Sequence, residues 1–253
     1  GKFVTGGVEL CHQLCFNINH LGGNTAKMCY VDISGRTEGL KQGFIWDTDA
    51  ETAYDCYGTD HVREFEEMDH LGNVIVIPEG MPLAALRFHN ACLVLWWMSV
   101  DNMPYKDDID AMQEVCKPFS LHLVQSEYAR NFVCRHFPER PVMWLSDYIN
   151  DIHGQFLFPA EYRRNIAVYN PKKGFEKLAP VIERANWIEW IPLKGMTAEK
   201  MVLIMQSAKI YVDFGYHPGK DRIPRESAAN GLCVITNKEG SAAFPEDVPI
   251  PEE

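Results

Sequence analysis

The apolar positions of this chain change period repeatedly. Short apolar runs alternate with stretches in which apolar residues recur every third or fourth position, the spacings of strands and of amphipathic helices. Residues 2–5 read as a strand. Gly6-Gly7 then turns the chain into a helix from Val8 to about His20, with Leu10, Leu14, Ile18 and Leu21 on one stripe, and Gly22-Gly23 stops it. Strands are expected at Lys27–Val31, Val74–Ile77, Cys92–Met98, Leu121–Val124 and Val142–Leu145. Helices are expected at Thr59–Met68, Pro82–His89 and from a Ser126 cap to about His136, with a helical turn at Ile109–Val115. The longest apolar run, Ala91–Met98, reads as a buried strand, and its tryptophans as core rather than as a sugar platform.

Residues 151–159 break the pattern, with Gly154 and Pro159 among apolar residues. Beyond them the alternation resumes more tersely. Strands are expected at Asn165–Tyr169, Ile188–Ile191, Lys209–Asp213 and Leu232–Thr236, and helices at Phe175–Ala185, Thr197–Ser207 and Pro224–Asn230. Strands alternating with helices imply βαβ units and parallel sheets. The expected fold is therefore α/β, with two Rossmann-like, doubly wound parallel-sheet domains facing a cleft, residues 1–155 and 156–253.

Composition narrows the function. The chain has 253 residues, 46% apolar and 23% charged, as an ordinary globular protein does. Net charge is −11, which argues against a nucleic-acid polymer as partner, because phosphate backbones select basic surfaces. Local basic clusters at Arg163-Arg164, Lys172-Lys173 and Lys220, Arg222 and Arg225 suit a small anion better. The eight cysteines form no C-x-x-C pair, and most sit in apolar runs, so a reducing, cytoplasmic setting without disulfides is expected. Cys11 and Cys15, with His12 or His20, could share a metal, but helix core is the simpler reading. No signal peptide and no bilayer-spanning run are read. The Pro/Glu-rich end, residues 245–253, leaves room for missing native sequence.

Ligands of open parallel sheets bind beyond the carboxyl ends of strands. Those positions carry Gly6-Gly7, Glu79, Ser99 with Asp101 and Asn102, Gln125-Ser126 and Asp147 in the first half. In the second half they carry Asn170 to Gly174, Pro192 to Gly195 and the loop after Asp213. Gly6-Gly7 either allows close approach of a ligand or serves a tight turn. Lys172 and Lys173 stand where a helix N-terminus already favours an anion, or form an exposed basic turn. The loop DFGYHPGKDRIPRE holds Lys220, Arg222 and Arg225, donors for phosphate oxygens, and Glu226, an acceptor for ribose hydroxyls or a partner of the helix dipole. Asp101 is the first candidate general base, with His12 and Asp147 behind it, although a strand-end Asp is also a common turn residue. G-x-S-x-G, Walker A, H-E-x-x-H and G-x-G-x-x-G are absent, and no metal is called for.

Residues 211–236 resemble the donor-binding domain of GT-B glycosyltransferases. The resemblance lies in a strand and loop, a helix with a glutamate (Arg225-Glu226-Ser-Ala-Ala-Asn-Gly231), and the strand Leu-Cys-Val-Ile-Thr236. The N-terminal Gly6-Gly7-Val-Glu-Leu-Cys-His-Gln-Leu14 resembles the GGxELxHQL start of bacterial and viral polysaccharide-type members. The resemblance implies a metal-independent, hexosyltransferase-type enzyme of polysaccharide biosynthesis, with no cofactor beyond its nucleotide-sugar substrate. It implies an acceptor-side domain at 1–155 and a donor domain at 156–253. The acceptor would be a glycan or lipid-linked glycan, the latter leaving peripheral membrane contact open. Carried over by position, Lys172 or Lys173 and Arg222 would hold the diphosphate, and Glu226 the ribose, with Asn170 and Lys220 among the donor-binding candidates. Ile191 to Leu193 would lie beside the base, with Gly6 and Gly7 approaching the donor. Asp101 and His12 are the catalytic candidates. Pro218 stands where the family's E-x7-E signature has its first glutamate, leaving His217 as a sugar or phosphate contact. Two alternatives stay open: a non-catalytic nucleotide or sugar-phosphate binding protein, and a nucleotide-sugar epimerase of the same architecture.

Overall fold

The computed structural model describes residues 5–32, 45–46 and 52–250. The chain divides into two units, Gly1–Gln125 with Arg130–Asp147, and Ser126–Ala129 with Tyr148–Glu253. The strand expected over residues 2–5 and the last three residues lie outside the described residues, Thr5 excepted.

The first unit opens with helix α1, Gly6–Leu21. Thr5 caps it, its hydroxyl accepting the Val8 N–H at 3.4 Å, and Gly22, at φ 75°, ends it. The expected strand at 27–31 shrinks to a bridge at Met28 and a two-residue strand β1, Val31–Asp32, paired with β2, Ile45–Trp46. The expected helix at 59–68 does not form. Met28 takes its backbone partners there instead, donating to Asp60 O and accepting from Val62 N at 2.8 Å each, and only Phe65–Glu67 makes a helical turn. Tertiary pairing outweighs helix propensity at this place. Pro82–Arg87 is likewise a 3₁₀ turn rather than an α-helix.

The sheet of this unit is parallel, in the order β3 (Val74–Pro78), β4 (Cys92–Trp97), β5 (Leu121–Val124), β6 (Val142–Trp144). Helix α2, Ile109–Cys116, and helix α3, Glu127–His136, supply crossovers between its strands. Leu93 to Trp97 are all buried, as a central parallel strand covered on both faces requires. The two indoles confirm the core reading. Trp96 Nε1–H donates to Leu145 O at 3.1 Å, and Trp97 Nε1–H donates to His122 Nδ1 at 2.8 Å.

The second unit holds a parallel sheet of β7 (Ile166–Tyr169), β8 (Glu189–Pro192), β9 (Ile210–Asp213) and β10 (Cys233–Thr236), in the spatial order β8-β7-β9-β10. Its helices are α4, Phe175–Arg184, α5, Ala198–Ser207, and α6, Arg222–Ala229. Ile166, Val168, Leu193, Met205, Ala208, Tyr211 and Leu232 form its larger core cluster. No helix among the described residues is long and apolar enough to cross a membrane.

The His122–Trp97 bond makes the first core sensitive to acid. Its Nδ1 accepts from the indole, so the neutral ring carries its proton on Nε2, and burial pushes its pKa down from 6.5 to about 4, helped by Arg140. Between those values the unfolded chain binds a proton that the folded chain excludes. The contribution is therefore fully present above pH 6.5 and lost as pH falls through about 4, an effect of roughly 3 kcal/mol. His122→Gln keeps an acceptor for Trp97 but cannot titrate. Its melting temperature is expected to fall less between pH 6.5 and 4 than that of the wild type, and equal slopes would count against this account.

Candidate functional site

In the second sheet the strand order reverses between β7 and β9, with β8 on one side and β10 on the other. Such a switch point opens a crevice at the carboxyl ends of the strands. Two loops leave from it, residues 170–174 after β7 and residues 214–221 after β9.

The loops cross through glycine. Gly174 has φ 69°, and a Cβ built on it would lie 2.3 Å from Gly215 N. A Cβ on Gly215 would lie 2.8 Å from the Lys173 Cβ. On its other side the second loop meets Gly240, at φ 64°, whose Cβ would lie 2.0 Å from His217 O. Ser241 secures that side, its N–H donating to His217 O at 2.8 Å and its hydroxyl to Gly219 O at 2.6 Å. Backbone on both sides therefore fixes the loop after β9.

Along this loop Asp213, Gly215, His217 and Gly219 are buried. Tyr211 Oη–H and Gly215 N–H donate to the Asp213 carboxylate at 2.7 and 2.9 Å. His217 Nδ1 lies 2.8 Å from Asp221 Oδ2, and the Lys173 ammonium sits on the same oxygen. Burial pushes Asp221 up, but the His217 hydrogen bond and the Lys173 charge outweigh it and hold the carboxyl below its ordinary value. His217 Nε2 lies 3.9 Å from Asp213 Oδ1 and makes no hydrogen bond among the described residues. Asp213, His217 and Asp221 bring one ligand-type atom each within 4.8 Å of one another. The cation seated on this group is the Lys173 ammonium.

Helix α6 begins at Arg222, two residues before the expected Pro224. Pro224 is its third residue, where a missing N–H leaves no intrahelical bond unmade. Glu226 therefore falls in the second turn and not in the first, so it does not complement the dipole. It faces Arg222 instead, Oε1 to Nε at 3.8 Å, and is only 8% exposed. From another direction His153 Nε2 approaches the same Oε1 at 3.7 Å.

The other candidates divide by location. Asn170 is buried and its Oδ1 accepts the Lys172 N–H at 3.0 Å, which shapes the turn. Lys172 is exposed, whereas Lys173 is turned onto Asp221. Leu193 packs in the core, so what it offers a ligand is backbone. Lys220 is half-buried, and its carbonyl accepts from Arg225 Nη2 at 3.1 Å, so Arg225 braces the loop. Arg163 is no ligand for an anion. Its guanidinium donates to Phe158 O, Ala208 O and Asn230 O at 3.0, 3.0 and 2.7 Å.

In the first unit, Gly6 and Gly7 form the opening turn of α1. A Cβ on Gly7 would meet Met98 Cε at an ordinary 3.6 Å, so packing alone does not require glycine. Asp101 is paired with Lys106 at 2.6 Å. His12 is fully buried. Its Nδ1 lies 2.7 Å from Thr59 Oγ1, and its Nε2 lies 3.2 and 3.3 Å from the Thr52 and Tyr30 hydroxyls. Burial pushes its pKa down, against the pull of Asp55 and Glu9. Glu79 is buried under the Met98 and Ser99 N–H groups, at 3.0 and 2.9 Å.

The sequence reading missed Ser241, His153 and Asn230, and took Asp221 only as a charge partner in a solvated loop. Asp221 carried a signal, being the one carboxylate between Lys220 and Arg222. His153 carried none, because it lies in a stretch without periodicity.

These features define an α/β protein of two parallel-sheet units, with two strand-end loops crossing at the switch point of the second. No protein-family model and no curated protein matches the chain. It is similar to the solved structure of a point mutant of S. aureus TarM in complex with fondaparinux, alpha-GlcNAc-glycerol and UDP. That match has a TM-score of 0.56 at 13% identity over 72% of this chain and 44% of that one, so the chain spans less than half of TarM. It is also similar to the alpha,alpha-trehalose-phosphate synthase (UDP-forming) of Burkholderia xenovorans in complex with glucose-6-phosphate. There the TM-score is 0.53 at 10% identity, over 96% of this chain and 85% of that one. Both neighbours are GT-B glycosyltransferases, and at these identities the likeness is one of fold.

The loop crossing can be tested by paired substitutions. Gly174→Ala puts a Cβ into the Gly215 backbone, whereas Gly195, at φ 65°, has nothing within 4 Å of its Cβ position. Gly195→Ala is expected to cost about 1–2 kcal/mol, the left-handed backbone term alone. Gly174→Ala should cost several kcal/mol more in urea unfolding. Equal losses would show that the crossing does not constrain the loop.

Proposed function

We propose that the protein is a glycosyltransferase that binds a nucleotide sugar at the β7/β9 switch point and transfers the sugar to a glycan or lipid-linked glycan. The observation that carries this reading is the position of Glu226 and Arg222, beside a glycine-built loop at the carboxyl ends of β7 and β9, on a GT-B type fold. The neighbours support the donor class, since one structure contains UDP and the other protein is described as UDP-forming.

On this reading Lys172, Lys220 and Arg222 attract the diphosphate and stabilise it as it departs. The N–H groups opening α4 add to that attraction. Glu226 accepts from the ribose hydroxyls, and the backbone of residues 191–193 flanks the base. Lys173 acts through the loop, by neutralising Asp221, and not on the phosphates. With an ammonium at that carboxylate, we propose that transfer is metal-independent. An inverting reaction also needs a base in the acceptor-side unit. Asp101 would have to part from Lys106 to serve, and His12 from its hydroxyl partners. That pairing favours one second reading, a nucleotide-binding protein without transfer.

The test is a melting-temperature titration with UDP, GDP, ADP, dTDP and CMP. At a hundredfold excess over Kd, a bound nucleotide stabilises by about 2.7 kcal/mol. One nucleotide is expected to do so, and Glu226→Ala or Arg222→Ala to abolish the shift while each variant still melts cooperatively. No shift with any nucleotide overturns the proposal. Release of that nucleotide from its sugar conjugate only when a glycan acceptor is added separates transfer from binding alone. Gly7→Ala should leave the ligand-free melting temperature nearly unchanged, since its Cβ meets only Met98. A loss of donor turnover in that variant would place the α1 turn against the donor.

A further inference from the structure

Residues 148–155 form an irregular turn that is nonetheless seated on α6. Asn150 organises it, its Oδ1 accepting the Ile152 N–H at 3.1 Å and its carbonyl the His153 N–H at 3.0 Å. Gly154, at φ 80°, brings the turn against the end of the helix, where a Cβ would lie 3.2 Å from Ala229 O. The result is a histidine whose side chain is only 4% exposed, its Nε2 3.7 Å from Glu226 Oε1.

The proton on that ring can be assigned from its surroundings. Asn230 Nδ2 lies 2.8 Å from Glu226 O, a carbonyl that can only accept, which fixes the orientation of the amide. The same Nδ2 lies 2.9 Å from His153 Nδ1. An amide nitrogen donates, so Nδ1 is the acceptor and the neutral ring carries its proton on Nε2. The atom that carries it is the one nearest the Glu226 carboxylate. At 3.7 Å the approach is longer than a hydrogen bond, as such contacts often are before a ligand draws the groups together. Arg222 Nε, at 3.8 Å, approaches the same oxygen. Two cationic or donor groups on different elements thus stand within 4 Å of one carboxylate oxygen.

We propose that His153 is a positioning residue for Glu226. Held as its Nε2–H tautomer by Asn230, it fixes the carboxylate so that the site distinguishes a ribonucleotide from its 2′-deoxy counterpart. This rests on the nucleotide-sugar reading above, but it assigns a role to residues that reading does not use.

The experiment measures Kd for UDP, GDP and ADP and for their 2′-deoxy forms, on the wild type, His153→Phe and His153→Gln. A hydrogen bond to a charged group corresponds to a preference of about tenfold or more for the ribose form. The wild type is expected to show it. His153→Phe keeps a ring but no donor, and should lower the preference to about threefold or less through weaker ribonucleotide binding alone. His153→Gln restores a donor and should recover most of it. A purely structural role would weaken both forms alike and leave the ratio unmoved. An unchanged ratio in His153→Phe, or no recovery in His153→Gln, overturns the inference while the nucleotide reading stands. If none of the ribonucleotides binds the wild type, that reading falls and the inference with it. Should His153→Phe fail to fold, His153→Ala carries the same expectation.

Discussion

At Gly174 the backbone of one strand-end turn passes so close to that of Gly215 that no side chain fits between them. Much of the candidate site follows from that contact. It brings Lys173 over the second loop, where its ammonium reaches Asp221. It directs the chain after Asp213 along a path on which alternate residues point inward. Gly240 closes the other side at a similarly short approach. Helix α6 can then start at Arg222, which sets Glu226 one turn further on.

The charge of this loop is sorted by direction. Burying an unpaired carboxylate costs several kcal/mol, so inward charges need partners. Asp213 has the Tyr211 hydroxyl and the Gly215 N–H, and Asp221 has His217 and Lys173. Arg225 is folded back onto backbone carbonyls, as Arg163 is elsewhere in the unit. The outward remainder is cationic, with Lys172 exposed beside the first turn of α4. An acidic protein thereby presents a local basic site, and its interior charges hold the loop that carries it.

Much of this was legible in the sequence, and the rest was not for identifiable reasons. The strands from Val74 onward and the helices of the second half were legible in the sequence, most plainly where an apolar run is buried, as at Leu93–Trp97 and Ile166–Tyr169. Residues 27–31 and 59–68 failed because neither pattern completes itself locally; they pair with each other across the Met28 bridge. The candidate loop was found from its position beyond a strand. The division of labour within it was not, since nothing in Lys172-Lys173 tells which ammonium turns inward. His153 lay out of reach, because only the fold brings residue 153 to residue 226.

The position eight residues before Glu226 is the point where this chain departs most from the family it resembles. Pro218 has neither a charged side chain nor an N–H, and His217 beside it points inward to Asp221. Asp221 does not replace the missing acid, because its oxygen already serves His217 and Lys173. On the nucleotide-sugar reading, the two ends of the site therefore differ in kind. The ribose end has a buried carboxylate with polar groups around it, an arrangement that rejects a ligand lacking the matching hydroxyl. At the other end, this loop would offer a sugar its backbone and Pro218. A surface of that kind selects by shape, which discriminates less steeply than a buried hydrogen-bonding group. On that reading, Pro218 would bear on which sugar is taken more than on whether a nucleotide is bound.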